Sequence, residues 1–521
     1  LIKDLIEPNP TLWHQLTTAD GDFRPTANPA SMLAVKGQHI LLVVKKNTAV
    51  LKKLKRWLSQ AQEQLQNLPA LVIDDEADQA TVATNKINPL IRDVLDQLPR
   101  VCFVGYTATP FGNLLIDPKN DRDFYPKDFI LSLPRSEKYQ GPETLFGRDP
   151  LDGEDPADVP GGKDMIREIP DDELDELRPA SKADIADFAP MVDGSLRAAV
   201  LWFWLATSAR RVRDGKAKHS SMLIHAHSDT RVHDSYADPL RFFQLSIAHR
   251  LDEHDPTVLD ELASLWDTES ISVHDPGCTP VSWPEIAAVL PDVVKQTKII
   301  RDHYRSKDRL DYDSGPATVI AVGGNTLSRG LTLEGLVVSV FVRSSNTYDT
   351  LLQMGRWFGY RPGYEDLPRI WMPATTRQWF AHLATVEAEM RKEIDRYLVE
   401  HMTPLQLAVR IRSHPKMRVT APAKMSSSVK AAASYGGQLV ETRYFRCAPS
   451  KDGAAAKVQA FHDANAEAVA AVLTAAAVEG AEDQNVKGHR LLLRGVPSKT
   501  ILQFVEATSS THDPPSTRVI S

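Results

Sequence analysis

The 521-residue chain is 42% hydrophobic and 25% charged, an ordinary globular composition with length for two or three domains. Its formal net charge of −7 excludes a surface that is basic throughout, so any nucleic-acid contact has to come from local patches. Three scattered cysteines make neither a disulfide framework nor a CxxC metal pair, and no run is apolar enough for a membrane span; a reducing cytoplasm and no membrane partner are expected.

The chain opens LIKDLIEP, with no initiator Met and no leader, and reads as a fragment whose start lies upstream. In chain order, the apolar runs 39–44, 70–74, 100–106, 221–227, 317–323, 336–342 and 368–372 read as buried strands. Residues 48–65 carry the spacing of an amphipathic helix with a basic outer face. Strands alternating with helical patterns predict α/β layers around largely parallel sheets. Cys102, inside RVCFVGY, is expected to be a small core residue. The Asp-, Glu-, Pro- and Gly-rich stretch 136–190 reads as a solvated connector, 229–316 as a mostly helical insertion, and 401–521 as an accessory region.

The run LVIDDEADQA (71–80) ends in an acidic turn. A parallel strand ending Asp-Glu puts both carboxylates at the carboxyl edge of its sheet, where α/β proteins bind ligands. Asp75 then suits a magnesium ion and Glu76 a water to be activated; a solvated acidic turn is the plain alternative. The next strand ends VGYTATPFGN, about thirty residues on, the length of a strand–helix–strand return. That return sets Thr107 and Thr109 beside the acidic turn and Asp78. Together the two turns read as motifs II and III of a superfamily-two helicase core.

VGGNTLSRGLTLEGL and LLQMGRWFGYR resemble motifs V and VI of that core. In the first, Gly324, Arg329 and Gly330 are expected at the nucleotide, with Glu334 at the ribose because Thr332 stands where an Asp is usual. In the second, Gln353 is expected at the nucleotide, and Arg356 and Arg361 are both candidate arginine fingers, five positions apart.

These segments, with FYPKDFILSLP and TPLQLAVRIRSHPKMRVTAPAKM, resemble the Z-one domain family from about residue 35 to about residue 430. The resemblance implies two RecA-like parallel-sheet domains, 1–135 (truncated at its N-terminus) and 191–400 (divergent), followed by the accessory region. It implies an ATP- and Mg2+-dependent double-stranded DNA translocase, working beside separate nuclease and specificity subunits in a restriction or antiphage complex. By the same resemblance His225 and His227 take a coupling role; zinc binding and plain structural hydrogen bonding remain open for them. Lys45, Lys46 and Lys52, then Arg410, Arg412, Lys416, Arg418 and Lys424, are candidate contacts to DNA phosphates.

No GxxxxGK[ST] loop precedes the acidic turn; it is expected upstream, and the chain by itself is expected to bind ATP poorly. Two other readings stay open. A metal-dependent nuclease built on Asp74, Asp75 and Glu76, with Lys86 as base, leaves TATP, SRG and QMGR unused. A nucleotide-binding scaffold without turnover has no need of Glu76 or Arg356.

Overall fold

Each of the seven runs read as strands overlaps one in the computed structural model. The structure describes residues 11–17, 21–79, 81–82, 86–120, 123–303, 306, 308–324, 333–343, 345–406, 411–414, 416–421 and 424, with 466–467, 469–470, 483–486, 490–493, 499 and 502.

In the first part of the chain, β1 (Trp13–Gln15) pairs in parallel with β2 (His39–Leu41). Helix α1 (Thr48–Ser59) starts at Asn47, whose side chain accepts from the Ala49 amide, and buries Leu51, Leu54, Trp57 and Leu58. The helix expected over 48–65 breaks at Gln60–Ala61, where Ala61 tucks into the core, and resumes for one turn. β3 (Ala70–Asp75) pairs in parallel with β4 (Val101–Tyr106), connected through α2 (Ile87–Leu95). One face of this pair is open: Leu71 and Ile73 are 64% and 59% exposed, and Cys102 is exposed with them. The core position expected for Cys102 is thus corrected, because no described layer covers that face.

A larger sheet follows. It contains β5 (Ile166–Ile169), β6 (Ser220–His225), β7 (Lys298–Asp302), β8 (Thr318–Gly323), β9 (Leu336–Phe341) and β10 (Arg369–Pro373). Their order is β5-β10-β9-β6-β8-β7, and every neighbouring pair is parallel. Side chains alternate between two cores, as the two-residue period of a strand requires, except where the register of β9 slips and Val337 and Val338 both face the same core. Met222, Ile224, Ile320, Val322, Val338, Val340 and Trp371 face one core, whose helices are α3 (Gly194–Asp214), α4 (Thr230–Ser235), α5 (Ala237–Asp252), α6 (Pro256–Ser272) and α7 (Trp283–Gln296). Leu223, Ala321, Phe341, Ile370 and Met372 face the other, with α8 (Tyr348–Met354) and α9 (Ala374–Val399). α3 is buried on nearly all sides, so its polar ring atoms need partners; Trp202 donates to the Leu367 carbonyl and Trp204 to Thr297.

Two strands of this sheet lie where none was expected. β5 falls in the stretch read as solvated connector, and β7 in the stretch read as helical insertion. Met165, Ile166 and Ile169 are 0%, 8% and 2% exposed, so three apolar residues that find cores win over the acidic composition around them. The edge is then fixed by charge. Glu269 on α6 takes bonds from Arg167 of β5 at 2.6 Å and 2.5 Å and from Arg369 of β10 at 2.7 Å. Burial would push its carboxyl up, yet the two guanidinium groups hold it below the ordinary range. We predict that Glu269→Ala costs about 3–5 kcal/mol, because Arg369 stays buried without a counter-charge and Arg167 keeps only Asp164. A depressed folded pKa stabilises fully above the ordinary carboxylate range and is lost as pH falls through the depressed value. Thermal melts should therefore show the gap between wild type and variant narrowing below about pH 4.

Residues 1–428 form one compact unit and 429–521 a second. Part of the region expected to be accessory belongs to the first unit: Arg418 bridges Thr347, Thr420 donates to Asp349, and the Tyr125 hydroxyl donates to the Pro404 carbonyl. In the second unit β11 (Asp483–Val486) and β12 (Arg490–Leu493) form an antiparallel pair. No described helix is long and apolar enough to cross a membrane.

Candidate functional site

β3 ends at Asp75, and the backbone then turns through Glu76 at φ +54°, a left-handed conformation that non-glycine residues adopt at a cost of about 1–3 kcal/mol. Lys46 holds this turn. Its ammonium donates to the carbonyls of Asp75 (2.7 Å), Glu76 (2.8 Å) and Gln79 (3.3 Å), and ion-pairs with Asp74 at 2.8 Å. Asp74 is buried and also accepts from the Thr81 hydroxyl at 2.6 Å. Lys46 was expected on DNA; the structure instead commits it to the acidic turn, because four oxygens converge on one ammonium there. Asp75 and Glu76 remain exposed. Asp75 accepts from the Glu76 amide and Glu76 from the Gln79 side chain, at 3.1 Å and 2.9 Å.

Asp78 is the hub of a second network and is 1% exposed. Thr107 donates to one carboxylate oxygen at 2.8 Å, and Thr109 to the other at 3.0 Å. Gln353, on α8, donates to that second oxygen at 2.9 Å and to the Thr109 hydroxyl at 3.0 Å. Lys424 reaches the Asp78 carbonyl, and Phe111 inserts beside Tyr348 in the core of the larger sheet. The three turns singled out in the sequence, around Asp78, Thr109 and Gln353, therefore meet in one hydrogen-bonded junction. Lys424 ends the basic stretch whose side chains were expected on DNA phosphates; here it donates to the Asp78 carbonyl instead.

Beside this junction lies a cleft of about 1,040 Å³, large enough for a nucleotide. Glu76 and Gln79 line it beside the acidic turn, and Tyr139, Glu334, Gln353, Arg356, Tyr360 and Arg361 line the rest. The two arginines differ. Arg361 is 8% exposed and spends its guanidinium on the carbonyls of Tyr360 (2.7 Å) and Trp357 (3.0 Å), so it braces its own turn. Arg356 is half-buried; burial lowers its pKa and the charge of Glu76 across the cleft opposes that shift.

The remaining expected residues lie elsewhere. Gly324 is packed against His233 and the His227 carbonyl, where a Cβ would come within 2.9 Å and 3.0 Å; it serves close packing, not approach to a ligand. His225 ends β6, fully buried, against Phe341 and within 3.1 Å of the Arg343 guanidinium, and burial drives its pKa well below the ordinary value. His227 accepts from the Asp229 amide at 3.0 Å. Neither histidine lines the cleft, and among the described residues no group of three or more His, Cys, Asp or Glu is arranged for a metal. Arg329, Gly330 and Arg410 lie outside the described residues. Lys45, Lys52 and Lys416 are exposed, whereas Arg412 is ion-paired with Glu389, which takes it out of the expected DNA set.

Residues 195–418 match the model of the Z1 domain family. No curated protein sequence matches the chain. Among solved structures the chain is similar to the Mycobacterium smegmatis helicase Lhr bound to ssDNA and AMP-PNP, with 14% identity and a TM-score of 0.23 over 77% of this chain and 37% of that one. It is also similar to the ATP-dependent Type ISP restriction-modification enzyme LlaBIII bound to DNA, with 11% identity and a TM-score of 0.27 over 80% of this chain and 27% of that one. The chain thus spans well under half the length of either protein.

Proposed function

We propose that the chain carries part of an ATP-hydrolysing motor that moves on double-stranded DNA. The observation that carries the reading is the junction of Asp78, Thr109 and Gln353 beside the cleft: the turns after β3 and β4 and helix α8 close on one site that holds an exposed carboxylate pair and an arginine. In this reading Glu76 accepts a proton from the attacking water, and Arg356 balances charge that develops on the transferred phosphate. Gln353 reports the state of the cleft through Asp78 to Thr107 and Thr109.

Asp75 fits a magnesium ion: it is an exposed carboxylate at a strand end, and such an ion keeps several waters and takes one or two protein carboxylates. Bound there, the ion would neutralise phosphate charge. Lys45 and Lys52 are offered as phosphate contacts on DNA, with separate nuclease and specificity subunits as partners and the cytoplasm as the site of action. The nuclease alternative is disfavoured by one observation: Asp74 is buried and already satisfied by Lys46 and Thr81, which leaves it no role on a shared metal. To test the motor reading, phosphate release from ATP is measured with the protein of the complete reading frame, with and without duplex DNA. The expected result is release that rises with DNA; release absent under both conditions overturns it.

A further inference from the structure

We propose that Tyr360, supported by Tyr139, forms the stacking surface for the nucleobase of the nucleotide in this cleft; the proposal rests on the nucleotide reading above. Tyr360 follows Arg356 in the same turn, lines the cleft and is 54% exposed, far more than an aromatic ring needs to be unless something covers it in use. Tyr139 arrives from the stretch whose composition reads as solvated connector. The two rings meet edge to face, with centroids 5.7 Å apart and planes at 63°.

The pair is built into the fold. The residues next to each ring form a two-bond backbone bridge, Gln140 N to Gly359 O at 2.9 Å and Gly359 N to Gln140 O at 3.1 Å. The Tyr139 ring lies over Gly141, where a Cβ would come within 2.7 Å of it, so a glycine is required for that ring position. Arg135 anchors the incoming segment through ion pairs to Glu143 at 2.5 Å and Glu387 at 2.9 Å. Burial raises the Tyr139 phenol above its ordinary value, which keeps the supporting ring neutral.

Chemistry then divides the cleft. Arg356 suits the phosphates, Glu76 the attacking water and Glu334 the ribose hydroxyls. A base is flat, uncharged and has two π-faces, and the tyrosine pair offers it the matching surface. Stacking tolerates any base, so affinity should differ little between adenine and guanine nucleotides.

The test compares two probes on the protein of the complete reading frame with magnesium: AMP-PNP, which has a base, and inorganic tripolyphosphate, which has none. Tyr360→Ala should weaken AMP-PNP about tenfold while leaving tripolyphosphate unchanged, and Tyr360→Phe should bind both as wild type does. Tyr360→Leu, which keeps apolar bulk without a ring, should reproduce the selective loss and serves where the alanine variant fails to fold. Equal weakening of both probes, or no effect of either variant on AMP-PNP, overturns the stacking role while wild-type binding still upholds the nucleotide site. Wild-type protein that binds neither probe overturns the nucleotide reading, and this proposal with it.

Discussion

Glu76→Gln should lower phosphate release from ATP by about 10²–10⁴-fold while AMP-PNP affinity stays within about threefold of wild type. Glutamine keeps the size of the side chain and can still meet Gln79, and Lys46 continues to hold the turn through backbone carbonyls that the substitution does not touch. What it removes is the ability to take a proton from water. Single-turnover hydrolysis together with equilibrium binding separates the two quantities. Unchanged turnover in the variant would reject Glu76 as the residue that activates water.

The second large effect divides the two arginines. Arg356→Ala should lower turnover by about 10³–10⁵-fold, since its charge acts across the cleft on the reacting phosphate. Arg361→Ala should instead cost about 2–3 kcal/mol of stability, because a buried guanidinium bonded to the Tyr360 and Trp357 carbonyls is lost. Turnover and thermal unfolding measured on both variants decide the assignment. A stable Arg361→Ala protein without turnover, beside an active Arg356→Ala protein, reverses it.

Much of the fold was legible because buried parallel strands read as continuous apolar runs, and six of the seven expected runs lie within a residue or two of the observed strand bounds. The seventh, HILLVV, forms only the short β2 (His39–Leu41). The meeting of Asp78 with Thr107 and Thr109 was legible too, since an acidic turn and a hydroxyl turn at the ends of adjacent parallel strands have to be neighbours. Lys46 was misread for a physical reason: a lysine in VVKKN looks the same whether it faces DNA or folds back on carbonyls contributed by a later turn. Arg356 and Arg361 are likewise equivalent in sequence, and burial alone tells them apart. Tyr139 gave no signal, because its partner lies on a distant turn and its own neighbours are polar. β5 was hidden by the acidic composition on either side of MIREI.

The central claim is that one cleft, bounded by Glu76 and Arg356, holds the triphosphate. It is tested most directly by an experimental structure of the protein of the complete reading frame with AMP-PNP, magnesium and duplex DNA. The account predicts the terminal phosphate between Glu76 and Arg356, the metal at Asp75 and the base against Tyr360. Nucleotide bound elsewhere, or a DNA phosphate in place of nucleotide on a metal at Asp75 and Glu76, would contradict it.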